Sequence, residues 1–140
     1  MILFLRALFI FILAAMTWGT LRASFAQALF DIPPEVYRNP WFQVTLLDAY
    51  FAFLTFFVWV AWKETRSVTR VLWGVAIVLW GNFAMAAYLL RELFRVPTQG
   101  PLAEVFASRR DSGLAWPSAF VALGIAVYLL GAKNLLFPAS

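Results

Sequence analysis

Residues 41–62 read WFQVTLLDAYFAFLTFFVWVAW, and this stretch decides the fold class. It holds one charged side chain, Asp48, in a run long enough to cross a bilayer, for which a helix needs about 20 residues. Its apolar residues do not alternate with period two, as they would in a strand of a membrane β-barrel. The stretch therefore predicts a transmembrane helix.

Three other segments have similar length and composition. They are residues 2–21, 71–90 and 114–137. Their strongly polar residues are few: Arg6 in the first, Asn82 in the third and Lys133 in the fourth. Since only helices and closed barrels satisfy backbone hydrogen bonds in lipid, residues 1–140 are predicted to form a single all-α membrane domain, a bundle of four transmembrane helices.

The composition excludes several classes of protein. Hydrophobic residues make up 64% of the 140 residues and charged ones 13%, against about half and about a quarter in soluble domains. The chain has neither His nor Cys, which excludes zinc fingers, disulfides, iron–sulfur ligation and His-ligated haem. Neither a cofactor nor a metal site is predicted, although contact with lipid, a quinone or a pigment without His ligation stays open.

Charge and motifs argue against an enzyme and against nucleic-acid binding. Eleven basic residues face seven acidic ones, and in so apolar a chain this excess indicates membrane topology. We find no paired membrane carboxylates, nucleophile motif or ligand cluster for catalysis. The expected partners are the lipid bilayer and other integral membrane proteins.

The topology follows from an even number of spans, which places both termini on one side. The short connection with Lys63, Arg66 and Arg70 shares that side, and a dense basic run between two spans indicates the cytoplasm. We therefore expect cytoplasmic termini in a bacterial inner membrane. Alternatively, residues 1–26 are a signal peptide cleaved after Ala26, which would leave three spans.

The connection between the third and fourth spans contains a short amphipathic pattern. Leu102, Val105 and Phe106 stand at i, i+3 and i+4, and charged residues occupy other positions. This spacing predicts a short interfacial helix between helices three and four.

Asp48 is the main candidate site residue, because a carboxylate within a membrane span is costly unless it is paired or hydrated. Asp48 and Asn82 are expected at similar depths below the same membrane boundary, which suggests a polar cluster in that half of the bilayer. Its predicted members are Asp48, Asn82, Thr17, Ser118, Arg22 and Arg91. Such a cluster is either a binding, proton or ion site, or a set of interhelical hydrogen bonds that fixes helix packing.

Small and aromatic residues are the predicted packing surfaces. Gly74 and Gly81 are seven residues apart, as are Gly124 and Gly131, and a spacing of seven returns to nearly the same helix face. They pack the third and fourth helices together or dock another subunit. Aromatic and apolar residues complete the predicted interface: Phe56, Trp59, Leu102 and Phe106.

Two stretches carry a family resemblance. Residues 39–48 read NPWFQVTLLD and residues 58–64 read VWVAWKE. They resemble an uncharacterised family of small multi-pass membrane proteins of bacteria and plants, known only as a domain of unknown function. The resemblance supports four spans and singles out Asp48 and Glu64, but it implies no activity.

The predicted function is that of an accessory or structural subunit that packs against other proteins of a larger membrane complex, of respiratory or photosynthetic type. Abundant aromatic surface and scarce reactive side chains favour it. The alternative is a small transporter, channel or binder of a lipophilic ligand centred on Asp48.

Overall fold

The computed structural model describes residues 1–132, and every regular element in that range is a helix. The all-α prediction is confirmed. The helices are α1 (Ile2–Ala26), α2 (Pro34–Arg38), α3 (Pro40–Lys63), α4 (Ser67–Trp80), α5 (Asn82–Arg95), α6 (Leu102–Ala107) and α7 (Ala115–Gly131). Two of them, α1 and α3, are long and apolar enough to span a membrane.

The segment predicted as a third span, residues 71–90, is not one helix. It contains most of α4 and α5, which fold back on each other as a hairpin, with the rings of Trp73 and Tyr88 4.9 Å apart. The turn is Gly81, whose φ of 50° is a conformation that residues with a Cβ rarely adopt. A Cβ there would also lie 2.5 Å from Phe53 Cζ of α3. The prediction of one continuous helix is wrong because an apolar hairpin has the same composition as a span.

Helix directions define two ends of the molecule. The cap end comprises Ile2, the end of α3, the end of α5 and residues 96–114, since Ile2 packs with Leu93, Val96 and Val105. The far end comprises the end of α1, residues 27–39 and the end of α7, where Gly131 lies against Leu29 and Phe30.

The core lies between the hairpin and α3. Trp73, Ala76, Ile77, Ala84 and Tyr88 of the hairpin are buried with Val60 of α3. Partly buried aromatic side chains surround them: Phe53, Phe56, Phe57, Trp59, Trp80 and Phe120. Small alanines in both arms let the arms approach closely, and large rings fill the space toward α3 and α7.

The hairpin changes the predicted topology. Because α4 and α5 return to the end where they began, residues 91–113 lie at the cap end beside Lys63, and Arg110 N–H donates to Lys63 O at 3.0 Å. Helix α7 then runs parallel to α1, so the described chain begins and ends at opposite ends of the bundle. The predicted placement of both termini on one side of a membrane stays a prediction, since the C-terminus lies outside the described residues. The part of the predicted fourth span in residues 133–137 lies outside them.

Candidate functional site: a buried ionic cluster at the cap end

The most elaborate polar arrangement surrounds Glu92, one turn before the end of α5. Its side chain is fully buried. Four basic side chains form ion pairs with its carboxylate: Lys63 at 3.0 Å, Arg91 at 3.3 Å, Arg95 at 3.1 Å and Arg110 at 3.6 Å. We call these five residues together with Glu64 the cap cluster. They bring α3, α5 and the connection before α7 to one point.

Lys63, the last residue of α3, is as buried as Glu92. Its ammonium group donates to Val105 O at 2.5 Å and to Ser108 O at 2.8 Å, besides pairing with Glu92. An ammonium has three N–H donors, and two of them are used by these carbonyl oxygens. Lys63 therefore fastens α6 and the residue after it to the end of α3.

Glu64 uses its carboxylate for neutral partners. Oε1 accepts from the Tyr88 hydroxyl at 2.9 Å, and Oε2 accepts from the backbone N–H of Ser112 at 2.8 Å. The Ser112 hydroxyl accepts from Trp73 Nε1 at 2.8 Å, and its carbonyl accepts from the Arg91 guanidinium. Glu64 thereby links the end of α3 to α5 through Tyr88. It links the end of α3 to α4 through Ser112 and Trp73.

Asp111 is exposed and directly precedes Ser112 of this hydrogen-bond network. Its carboxylate accepts from Gly113 N–H at 3.0 Å and from the Thr69 hydroxyl at 2.8 Å. These two hydrogen bonds, the backbone one first, hold the pKa of Asp111 below its ordinary value. The contact ties the start of α4 to the start of α7.

The cap cluster carries a surplus of positive charge. Lys63, Arg91, Arg95 and Arg110 face only two carboxylates, and Glu64 is engaged by neutral donors. Glu92 Oε2 lies near Lys63 and Arg110, yet no donor meets it in hydrogen-bonding geometry. Within residues 1–132, no group of three metal-ligating side chains comes together. The arrangement holds α6 and Ser108 against the ends of α3 and α5.

The structure does not assemble the polar cluster predicted around Asp48. Asp48 is exposed on α3, Asn82 is exposed beside the hairpin turn, and Thr17 donates to Leu13 O of its own helix. Arg22 and Ser118 are also exposed. Arg91 lies in the cap cluster instead, because α5 runs back toward the cap end.

The predicted packing residues are found mainly inside the chain. Gly74 and Gly81 receive the rings of Phe57 and Phe53 of α3, and Gly124 receives Trp80 and Leu79 of α4. Gly131 faces Leu29 and Phe30.

The aromatic members of that predicted interface also make internal contacts. Trp59 packs against Phe56 and Phe106, and its indole N–H donates to Phe106 O at 3.1 Å. Leu102 packs against the buried residues around Ile2. Phe106 exposes 40% of its surface, and Phe56, Trp59 and Leu102 are partly buried.

Sequence reasoning missed Glu92 and the pairing of Lys63. The available signal was local: Glu92 stands between Arg91 and Arg95, directly after the predicted third span. An acid among arginines at the end of an apolar run indicates an ion pair, but its partners Lys63 and Arg110 are remote in sequence. Glu64 was singled out only through the family resemblance.

Comparison with known proteins establishes the family. Residues 2–135 match the family described as "Protein of unknown function (DUF1475)". The match covers nearly the whole chain, so the chain belongs to this family, and the predicted resemblance to an uncharacterised family is confirmed. No curated protein and no solved structure matches the chain.

Proposed function

We propose that this protein is an accessory or structural subunit embedded in the inner membrane of a bacterial cell, where α3 packs against another integral membrane protein. The observation that carries the proposal is the position of Asp48. It is exposed on an apolar helix long enough to span a membrane, and within residues 1–132 its side chain makes no hydrogen bond or ion pair.

The depth of Asp48 makes this exposure costly in lipid. Eight residues separate it from Pro40, which is roughly 12 Å at 1.5 Å per residue. A carboxylate that faces hydrocarbon costs several kcal/mol unless it is paired or hydrated. A partner subunit that offers a basic or hydrogen-bond-donating group to Asp48 would remove this cost, and neighbouring exposed side chains such as Val44, Leu47 and Phe51 would pack around it.

The charge distribution supports an orientation. Eight basic residues belong to the cap end: Arg6, Lys63, Arg66, Arg70, Arg91, Arg95, Arg109 and Arg110. In the described chain only Arg22 and Arg38 belong to the far half. The positive-inside bias therefore favours a cytoplasmic cap end, more clearly than the sequence alone did.

The hairpin is best explained as re-entrant. Each arm has 14 residues, or roughly 21 Å, less than the roughly 30 Å of a hydrocarbon core. In this arrangement α1 and α3 cross, as does the predicted span 114–137, whose described part contains α7, while the hairpin enters from the cap end and returns. The ring of Phe53 covers much of the hairpin turn. Irregular backbone at that depth of a membrane has to be covered by protein.

Single cysteines test this placement, because the natural chain has none. Ala28→Cys lies in the far-end connection and Ala103→Cys on α6, and both positions are exposed. We expect an impermeant thiol reagent to label them from opposite sides of intact and inverted membrane vesicles. Labelling of both from one side would contradict the re-entrant hairpin and restore an even number of crossings.

Photocrosslinking tests the partner. Benzoylphenylalanine replaces Phe51, which is exposed one turn from Asp48, and, as a matched control, Phe53, which packs on Gly81. We expect Phe51 to crosslink to one other membrane protein, with the yield reduced by Asp48→Asn, and the Phe53 probe to stay within the chain. A lone monomer or homodimer in mild detergent, with crosslinks only to lipid or to itself, would refute the accessory-subunit proposal.

A second candidate is a transporter, channel or lipophilic-ligand binder near Asp48. One observation favours it: a groove of about 240 Å³ lies at the hairpin turn, lined by Asn82, Tyr50 and Tyr128 among others. Asp48 is not among the lining residues. Asp48→Asn distinguishes the two candidates. Loss of flux or ligand binding with an intact complex supports the transporter, channel or ligand binder. Loss of the complex supports the accessory subunit.

A further inference from the structure

A second groove lies at the cap end, between α1, α5 and the start of α7. Its volume is about 410 Å³, within the range of small-molecule sites. The apolar part of its wall is formed by Leu13, Ala87, Leu90, Phe94 and Trp116. Arg91 and Arg95 complete the lining. An apolar channel with two guanidinium groups has the chemistry of an amphiphile with an acidic head.

The two arginines are incompletely neutralised. Both pair with Glu92 Oε1, and Glu92 Oε2 pairs with Lys63 and Arg110. Within the described chain, Arg95 uses only Nη1 for hydrogen bonding, and 30% of its side chain is exposed. A guanidinium has five N–H donors, so Arg95 keeps free donors at the groove.

A third guanidinium adds to the same region. The Arg6 side chain lies over the ring of Phe94, 4.7 Å from its centroid, and donates to Leu93 O and Val96 O at the end of α5. Arg6 therefore lies beside Phe94, which lines the groove together with Arg91 and Arg95. Basic pockets between membrane helices on the cytoplasmic side are typical sites for acidic lipid headgroups.

We propose that this groove binds one anionic phospholipid. Its phosphate group accepts hydrogen bonds from Arg95 and Arg91, and an acyl chain lies along Leu13, Leu90 and Trp116. Charge complementarity identifies this occupant, because a zwitterionic lipid or a neutral helix would leave the surplus positive charge uncompensated. The inference rests on the membrane embedding proposed above and is independent of any partner subunit.

Tryptophan quenching measures this binding. The full-length protein is reconstituted in phosphatidylcholine nanodiscs, and small amounts of chain-brominated phosphatidylglycerol or chain-brominated phosphatidylcholine are added. The contribution of Trp116, which lines the groove, is the difference between the natural protein and Trp116→Phe. We expect Trp116 to be quenched at about tenfold lower content of the anionic lipid, as one charge-assisted site would give.

Arg95→Gln is the decisive variant, and Arg109→Gln is its matched control. Arg109 lies at the same end with an equal charge, donates to Trp62 O at 2.8 Å and does not line the groove. We expect Arg95→Gln to abolish the preference for phosphatidylglycerol, Arg95→Lys to restore part of it and Arg109→Gln to retain it. Leu13→Phe, which narrows the groove without changing charge, should also weaken quenching by the anionic lipid.

Each other outcome overturns the proposal. Equal quenching by both lipids excludes a headgroup-specific site, and equal losses in Arg95→Gln and Arg109→Gln indicate only surface charge. Displacement by inorganic phosphate or glycerol phosphate at concentrations comparable to the lipid would assign the site to a free anion. Protein that stays soluble without detergent or nanodiscs would instead refute the membrane embedding, whereas embedded protein without lipid preference refutes this inference alone.

Discussion

The two ends of this molecule are built on different principles. At the cap end, residues remote in sequence meet through buried ion pairs, and Glu92 and Lys63 are inaccessible to solvent. In the half of the molecule nearer the far end, Asp48 and Asn82 are exposed. Most described side-chain hydrogen bonds there join residues close in sequence, such as Asn39 Oδ1 accepting from Trp41 N–H. The cap end joins its polar groups to one another across long sequence separations, although Glu92 Oε2 still lacks a donor within the described chain, whereas Asp48 and Asn82 stay exposed.

The largest expected effect comes from breaking the cap cluster. Glu92→Ala leaves Lys63 and three arginines without their shared carboxylate and should lower the free energy of unfolding by about 3–5 kcal/mol, the usual cost of removing one partner of a buried ion pair. Denaturant unfolding in detergent, followed by circular dichroism, measures it.

Asp48→Asn is the matched control at the other end. Because Asp48 is exposed and unpaired within the described chain, its substitution should not lower the free energy of unfolding of the isolated protein. In the embedding proposed above, the neutral amide removes the cost of a carboxylate that faces hydrocarbon, so any change should be a gain. Equal losses from the two substitutions would remove the contrast between the ends.

The hairpin turn should give the next largest effect. Gly81→Ala introduces a Cβ at φ 50° and 2.5 Å from Phe53 Cζ, so backbone strain and overpacking together should cost about 2–4 kcal/mol. The same unfolding titration measures it. Gly19→Ala is the control, since nothing lies within 4 Å of the added Cβ in α1, and it should be neutral or slightly stabilising. A tolerated Gly81→Ala would indicate a continuous α4–α5 helix.

A smaller effect distinguishes the hydrogen bonds of the cap from its ion pairs. Tyr88→Phe leaves Glu64 Oε1 without its buried donor at 2.9 Å and should cost about 1–2 kcal/mol of unfolding free energy. Tyr50→Phe removes an exposed hydroxyl of α3 and should have no measurable effect. If the two variants unfold alike, the Glu64 network contributes little to stability.

The smallest effect is a pH dependence at Asp111. Since its pKa is lowered in the folded chain, the unfolded chain takes up the proton first as the pH falls. The stabilisation is complete above the ordinary value of about 3.9 and is lost as the pH falls through the lowered value. Asp111→Asn should flatten the acid side of the pH profile of the unfolding midpoint, and an unaltered profile would contradict the stabilising role of the Gly113 and Thr69 hydrogen bonds.

The helices that the sequence predicted correctly are those that depend on local composition. Helices α1 and α3 follow from apolar runs of spanning length, and the pattern of Leu102, Val105 and Phe106 correctly indicated a short helix at α6. These features depend on neighbours within a few residues. Nothing beyond the local run is needed to predict them.

The hairpin and the cap cluster depend on information that a single sequence does not display. Gly81 is compatible with both a helix interior and a turn, and its close approach to the ring of Phe53 joins residues that are remote in sequence. Lys63, Glu92 and Arg110 come from three segments, so no spacing rule connects them. Asp48 stands out in the sequence as a carboxylate within an apolar run, but hydropathy does not tell which helix face points toward the rest of the chain.

The long-range nature of the cap has a consequence for the order of assembly. Lys63 completes its hydrogen bonds only with Val105 and Ser108, and Glu64 only with Tyr88 and Ser112. A growing chain therefore has α1 and α3 synthesised long before the end of α3 finds its partners. Until then neither charged side chain has these partners. Loop closure by residues 96–112 and burial of Glu92 therefore require a chain synthesised at least as far as Ser112.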